Sequence, residues 1–91
     1  MLSQDGILVV TVNLDKYTGG LVGTAHFMSR GMLTSADAEA LYKQLREPVA
    51  TAVNLGGSKN ELTKRLDYLV ARLVEDLTGR RPVIVVQVLK V

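Results

Sequence analysis

The chain has 91 residues, a net charge of +2 and no cysteine. These properties describe one small domain and exclude a disulfide scaffold or a cysteine zinc knuckle. A chain of this length buries roughly 60–65% of its unfolded surface, so one modest core is feasible. The lack of cysteine favours a reducing, cytoplasmic setting, and residues 1–5 lack the basic segment of a signal peptide.

The first predicted element is a strand over residues 7–14, which are apolar except at Thr11 and Asn13. Such a run is typical of a strand that is buried on both faces at its start and on one face at its end. Residues 15–20 begin with an aspartate and end with two glycines. They predict a hairpin turn in which one of the two glycines, at position 19 or 20, has a positive φ.

The return strand of this hairpin is predicted over residues 21–28, where side chains alternate between two faces. Gly23 within it indicates a bulge or a close approach of another backbone. Residues 29–31 (SRG) are expected to end the strand. Met32 and Leu33 are expected to enter the core just before the first helix.

The first helix is predicted to begin after an N-cap at Thr34 or Ser35 and to end near Val53. Pro48 lies inside it and removes a backbone donor, so we expect a kink, or a split after Glu47. The apolar positions keep helical spacing, and they are Ala38, Leu41, Tyr42, Leu45, Val49, Ala52 and Val53.

The second helix is predicted from a capping box at Ser58 and Glu61, which follow the glycine pair 56–57. Gly79 is expected to end it, and an apolar strand is predicted after Pro82. The apolar stripe of this helix consists of Leu62, Leu66, Leu69, Val70, Leu73 and Leu77.

The order of these elements predicts an α+β fold of the β-β-α-α-β type. Two antiparallel helices would return the chain to the end of the sheet where the second strand finished. The last strand would then run parallel to the first. We therefore expect a three-stranded sheet with both helices packed on one face. The last strand could pair with either strand of the hairpin, and we favour the first, which then lies in the middle.

No catalytic, metal-binding or cofactor-binding residue is predicted. His26 is the single histidine, and a lone histidine in a strand is usually structural. Asp37 and Glu39 suit the start of a helix, and the acidic pair at 75–76 suits a solvated helix end. The glycines of residues 19–23 lack the following helix and the Lys-Ser pair of a phosphate-binding loop.

Basic residues are concentrated in the second half of the chain. Residues 57–91 carry a net charge of +3, whereas residues 1–56 carry −1. Two interpretations are open for the arginines of the second helix and its exit. They form either a solvated face that suits the helix C-terminus, or a contact with an RNA backbone or a protein partner. The candidates for such a contact are Arg65, Arg72, Arg80 and Arg81.

The last strand is apolar on both of its faces, yet two helices can cover only one face of a three-stranded sheet. The other face is therefore a candidate interface with another subunit or another domain. The residues that we assign to this interface are Ile84, Val86 and Val88.

Three segments resemble the C-terminal domain of bacterial ribonuclease J proteins. They are residues 14–19 (LDKYTG), residues 29–31 (SRG), and residues 78–82 (TGRRP) followed by the apolar strand. Each motif is weak alone, but the three occur in the same order and spacing over nearly the whole chain. The resemblance is to the domain that follows the metallo-β-lactamase and β-CASP domains of those enzymes.

The resemblance implies a parent protein that is a zinc-dependent endonuclease and 5′-to-3′ exonuclease of RNA maturation and decay. Its zinc ligands lie in the metallo-β-lactamase domain, so no catalytic or metal residue transfers to this chain, and residues 1–91 are expected to form a single non-catalytic accessory domain. The expected partners are its own catalytic domains and further copies of itself, with RNA as a candidate and no membrane. The alternative function is an RNA-contacting module that uses the basic residues of the second helix and its exit.

Overall fold

Three strands and two helices make up the part of the chain that the computed structural model describes, residues 6–31 and 34–91. The predicted α+β fold and its β-β-α-α-β order are confirmed. The expectations for residues 1–5 and 32–33 lie outside the described residues. The elements in chain order are β1 (Ile7–Leu14), β2 (His26–Arg30), α1 (Ser35–Asn54), α2 (Lys59–Thr78) and β3 (Val83–Lys90).

The sheet has the strand order β2-β1-β3, which confirms that β1 lies in the middle. β1 pairs antiparallel with β2 and parallel with β3. The parallel pairing extends over the whole of both strands, from Ile7 opposite Val83 to Leu14 opposite Lys90. This register decides which side chains of β3 share a face with those of β1, because paired residues point to the same side of a sheet.

The turn after β1 is held by the Asp15 side chain. Its Oδ1 accepts hydrogen bonds from the backbone amides of Tyr17, at 2.8 Å, and Thr18, at 3.0 Å. Gly19 adopts φ +75°, which settles the choice between the two glycines, and its amide donates to the Asp15 carbonyl at 2.8 Å. An aspartate that accepts bonds from the residues after it is a common way to start a turn.

The return strand is shorter and later than predicted. β2 begins at His26 instead of residue 21, and only Leu21 of the earlier segment forms an isolated bridge, with Leu14. The chain bends at Gly23, where φ is +67°, and this interrupts the pleat. Residues 29 and 30, expected to end the strand, belong to β2 and pair with β1.

α1 begins after Thr34, whose hydroxyl accepts a bond from the amide of Asp37 at 3.3 Å. The helix continues through Pro48 over its full 20 residues, so the predicted split is wrong. Leu45 and Val49, on either side of the proline, are completely buried. The packing of this apolar face compensates for the one helical hydrogen bond that Pro48 cannot donate.

α2 has the predicted capping box. Ser58 Oγ accepts from the Glu61 amide at 3.2 Å, and Glu61 Oε1 accepts from the Ser58 amide at 3.1 Å. Gly79 ends the helix in the left-handed conformation, with φ +71°. The apolar stripe of α2 differs from the predicted one near the C-terminal end of the helix. Val74, which was not assigned to the stripe, is buried, whereas Leu77, which was, is 46% exposed. Leu77 lies in the last turn of α2, at the end of the helix layer, where neighbouring residues cover it incompletely.

The core lies between the two helices and one face of the sheet. The α1 side of this layer contacts β2 through Tyr42. The Tyr42 ring stacks on Phe27 with 5.4 Å between centroids, and its hydroxyl lies 2.6 Å from Ser29 Oγ. Neither α1 nor α2, the two helices of the described residues, contains an apolar stretch that could span a bilayer. The completely buried side chains are Leu8, Leu45, Leu66, Val10, Val12, Val49, Val70 and Val74.

Candidate functional site

The face of the sheet opposite the helices is the first candidate surface, and we call it the uncovered face. In β1, alternate residues from Leu8 to Leu14 are buried under the helices, so Ile7 and Val9 point to the other side. The pairing of the strands defines the residues of the uncovered face, which are Ile7, Val9, Thr11, Asn13, His26, Met28, Arg30, Val83, Val85, Gln87 and Leu89.

The residues predicted to form the sheet interface do not lie on the uncovered face. Ile84, Val86 and Val88 pair with residues 8, 10 and 12 of β1, which are buried under the helices. Val88 is only 2% exposed, and the other two pack against the core. The assignment of faces within β3 was therefore wrong, because β3 is apolar on both sides. The prediction that the sheet presents an interface now concerns Val83, Val85 and Leu89.

The uncovered face is divided into an apolar part and a polar row. Val9 and its pairing partners Met28 and Val85 form a row across all three strands. Thr11 is the next residue of β1 on this face, and it forms a second row with its pairing partners His26 and Gln87. In this polar row the Thr11 hydroxyl donates to Gln87 Oε1 at 3.1 Å. A partner of the uncovered face therefore meets apolar side chains on one side of a hydrogen-bonding row.

Arg65, one of the four predicted contact arginines, is held at the junction of the two helices. Its Nη1 donates to the carbonyls of Ala52, at 2.9 Å, and Gly56, at 2.7 Å. Carbonyls at the end of a helix lack donors within the helix, and the last turn of α1 is uncharged. The half-buried Arg65 side chain supplies both the donors and the positive charge that suit this end.

The remaining arginines lie among acidic residues at the end of α2 and just after it. Arg72 Nη1 donates to the Tyr68 hydroxyl at 3.0 Å, and this bond, with nearby carboxylates, raises the pKa of Arg72. Arg81 Nη2 lies 3.1 Å from Glu75 Oε1, and both side chains are exposed. Arg80 is exposed, and its amide donates to the side chain of residue 78. The predicted cluster is thus a mixed-charge surface without Arg65.

A groove between α1 and α2, on the side away from the sheet, was not predicted. It has a volume of about 840 Å³. Two large side chains at its edge are strongly exposed, Leu55 by 73% and Tyr68 by 68%. The sequence contained one signal for it, because Leu55 and Tyr68 lie off the buried stripes of both helices.

Two carboxylates beside the ends of elements have lowered pKa values. The backbone amides of Thr18 and Tyr17 lower the pKa of Asp15, and the backbone amide of Ser58 lowers the pKa of Glu61. Within residues 6–31 and 34–91, no group of three histidine or acidic side chains is placed to hold a metal ion. The features of the described surface are therefore an apolar sheet face, a mixed-charge helix end and a groove.

The fold defines a small α+β domain with two layers. Residues 1–91 match the family model described as the ribonuclease J C-terminal domain, and the chain belongs to that family. Ribonuclease J2 of Bacillus subtilis is 28% identical over 96 residues, and Ribonuclease J 2 of Staphylococcus epidermidis is 27% identical over 90 residues. The matches cover 100% and 93% of this chain but only 17% and 16% of those proteins.

Proposed function

We propose that this chain is a non-catalytic accessory domain that joins subunits of a ribonuclease J through the uncovered face of its sheet. The parent protein would be a zinc-dependent nuclease of cytoplasmic RNA maturation and decay, with its zinc and catalytic residues in domains outside this chain. Membership of the ribonuclease J C-terminal domain family supports the first part of the proposal. The small share of the relatives' length that the chain covers agrees with a catalytic centre elsewhere.

The observation that carries the association is the apolar part of the uncovered face. Val83 and Met28 are exposed by 39% and 55%, although they lie on a sheet whose other face is the core. Val9 and Val85 join them in the centre of the patch. An apolar surface of this kind gains free energy when a partner removes it from water, by roughly 25 cal/mol for each Å². A second copy presents the same surface, as two-fold association requires.

Light scattering across a range of concentrations tests this proposal. We expect the 91-residue chain to associate as its concentration rises, and Val85→Lys to weaken the association constant by at least about tenfold, because a lysine would lose water in the interface. Tyr17→Lys is the matched control, since it adds the same charge on the exposed hairpin turn. A chain that stays monomeric at every concentration would overturn subunit association through this face.

The non-catalytic role has a separate test. We expect the purified chain to release no product from RNA in the presence of zinc or other divalent ions. Metal-dependent cleavage that co-purifies with the chain, and that is lost on substitution of its own residues, would contradict the role.

RNA contact at the end of α2 is the second candidate function. It is supported by the net charge of +3 in residues 57–91 and by the exposure of Arg80. If RNA binds here, the affinity falls steeply with salt, because phosphate contacts release counterions. Arg80→Glu should then weaken binding at low salt while Lys16→Glu, on the distant hairpin turn, leaves it unchanged. No RNA binding at low salt would remove this candidate.

A further inference from the structure

The groove between α1 and α2 has an apolar floor and two basic side chains in its lining, Lys43 and Arg65. Pro48 and Ala52 of α1 and Leu69 of α2 line it, together with the exposed side chains of Leu55 and Tyr68. Exposed large apolar side chains around a concave surface are typical of a binding site. The Tyr68 hydroxyl accepts a hydrogen bond from Arg72 at 3.0 Å.

Arg65 is the anchor at one end of the groove. Its Nη1 is occupied by the carbonyls of Ala52 and Gly56, and these two bonds fix the plane of the guanidinium. Its other N–H groups are donors of the kind that pair with a carboxylate. Glu61 lies close enough for the charge of Arg65 to contribute to lowering its pKa, but its Oε1 accepts the Ser58 amide.

The charges that line the groove favour an acidic ligand. Lys43 and Arg65 are positive and Glu47 is negative, so the lining has a net positive charge. Lys43 lies on α1 twelve residues before Leu55, which at 1.5 Å of rise per residue is about 18 Å, or roughly three helical turns. The groove is thus long enough for three apolar side chains on one face of a ligand helix.

The walls of the groove also decide the conformation of the ligand. Both walls are α-helices, in which backbone groups are already paired, so they cannot serve an extended peptide that needs backbone partners. A helix brings its own backbone hydrogen bonds.

We propose that this groove binds an amphipathic helix that places apolar side chains on Pro48, Ala52 and Leu69 and a carboxylate beside Lys43 or Arg65. The site lies on the opposite side of the helices from the sheet. It is therefore independent of subunit association through the uncovered face, and both surfaces can be occupied together.

The test uses two synthetic probes and nuclear magnetic resonance of the labelled chain. The first probe is a leucine-rich amphipathic helical peptide with one glutamate beside its apolar face, and the second has lysine in place of that glutamate. We expect the glutamate peptide to shift the amide signals of Ala52 and Leu69 and to bind about two- to fivefold more tightly than the lysine peptide, the range of an exposed ion pair.

Two variants make the result specific to the groove. Tyr68→Ala should weaken both peptides by at least about fivefold, because it removes an aromatic side chain from the interface, whereas Tyr17→Ala should have no effect. Lys43→Glu should weaken the glutamate peptide and strengthen the lysine peptide. Signal shifts confined to β1 and β3, equal binding of the two peptides to the original chain, or no binding at millimolar peptide would each overturn the proposal.

Discussion

Arg65 stabilises the junction of the two helices, and its replacement by methionine should show by how much. Methionine keeps an unbranched apolar stem and removes the donors to the carbonyls of Ala52 and Gly56. A hydrogen bond from a charged donor contributes about 1.5–3 kcal/mol. Two such bonds would together contribute about 3–6 kcal/mol at a fully buried site. Because the side chain is only half-buried and water can partly replace the lost donors, we expect a smaller loss, of about 2 kcal/mol.

Thermal and urea denaturation measure this loss. For a domain of this size, 1 kcal/mol corresponds to about 4–8 °C, so Arg65→Met should lower Tm by roughly 8–16 °C. Arg72→Met is the matched control. It removes one bond between exposed side chains, for which we expect a change within about 0.5 kcal/mol. Equal losses in the two variants would refute the structural role of Arg65 and return it to the candidate RNA contacts.

Three further predictions concern stability and are measured by urea denaturation. Gly6→Ala should cost at least about 2 kcal/mol, because φ there is +86° and a Cβ would collide with the backbone carbonyl of the last residue of β2; a loss below that would contradict the close approach. Tyr42→Phe should cost about 1 kcal/mol, because it removes the 2.6 Å bond with Ser29, and an unchanged midpoint would show that bond to be dispensable. Folding lowers the pKa values of Asp15 and Glu61, so their stabilisation is complete above the ordinary carboxyl range and is lost as pH falls below about 4, through the lowered pKa values. Glu61→Gln, which keeps an acceptor oxygen, should flatten the dependence of the unfolding free energy on pH in that range, and an unaltered slope would exclude a contribution of Glu61.

The ends of the helices could be predicted from the sequence because they depend on local chemistry. Thr34, the pair Ser58 and Glu61, and Gly79 each act through residues within one turn of helix. The split predicted at Pro48 was wrong because its outcome does not depend on local chemistry alone. The cost of its missing donor is local, but the burial that offsets it comes from the sheet and α2, which lie far away in the sequence.

The faces of β3 could not be distinguished from β3 alone, because apolar residues occupy both of them. The signal was in β1, where Thr11 and Asn13 interrupt one alternating set and the other set is apolar throughout. Together with the parallel register, this places Val86 under the helices and Gln87 beside Thr11. The contacts of Arg65 could not be predicted in this way. Its seven-residue spacing to Arg72 places both residues on one face of the helix, but it does not show which backbone carbonyls the long Arg65 side chain reaches.

The polar row on the uncovered face limits how a partner can lie there. Thr11 and Gln87 satisfy each other in part, but an apolar surface laid over the whole row would remove the remaining polar atoms and His26 from water without new bonds. The buried centre of an interface is therefore expected on the side of Val9 and Val85, where every side chain in the row is apolar. A second copy related by a two-fold axis could place its own polar row against this one and pair the groups that an unrelated apolar surface would leave without bonds.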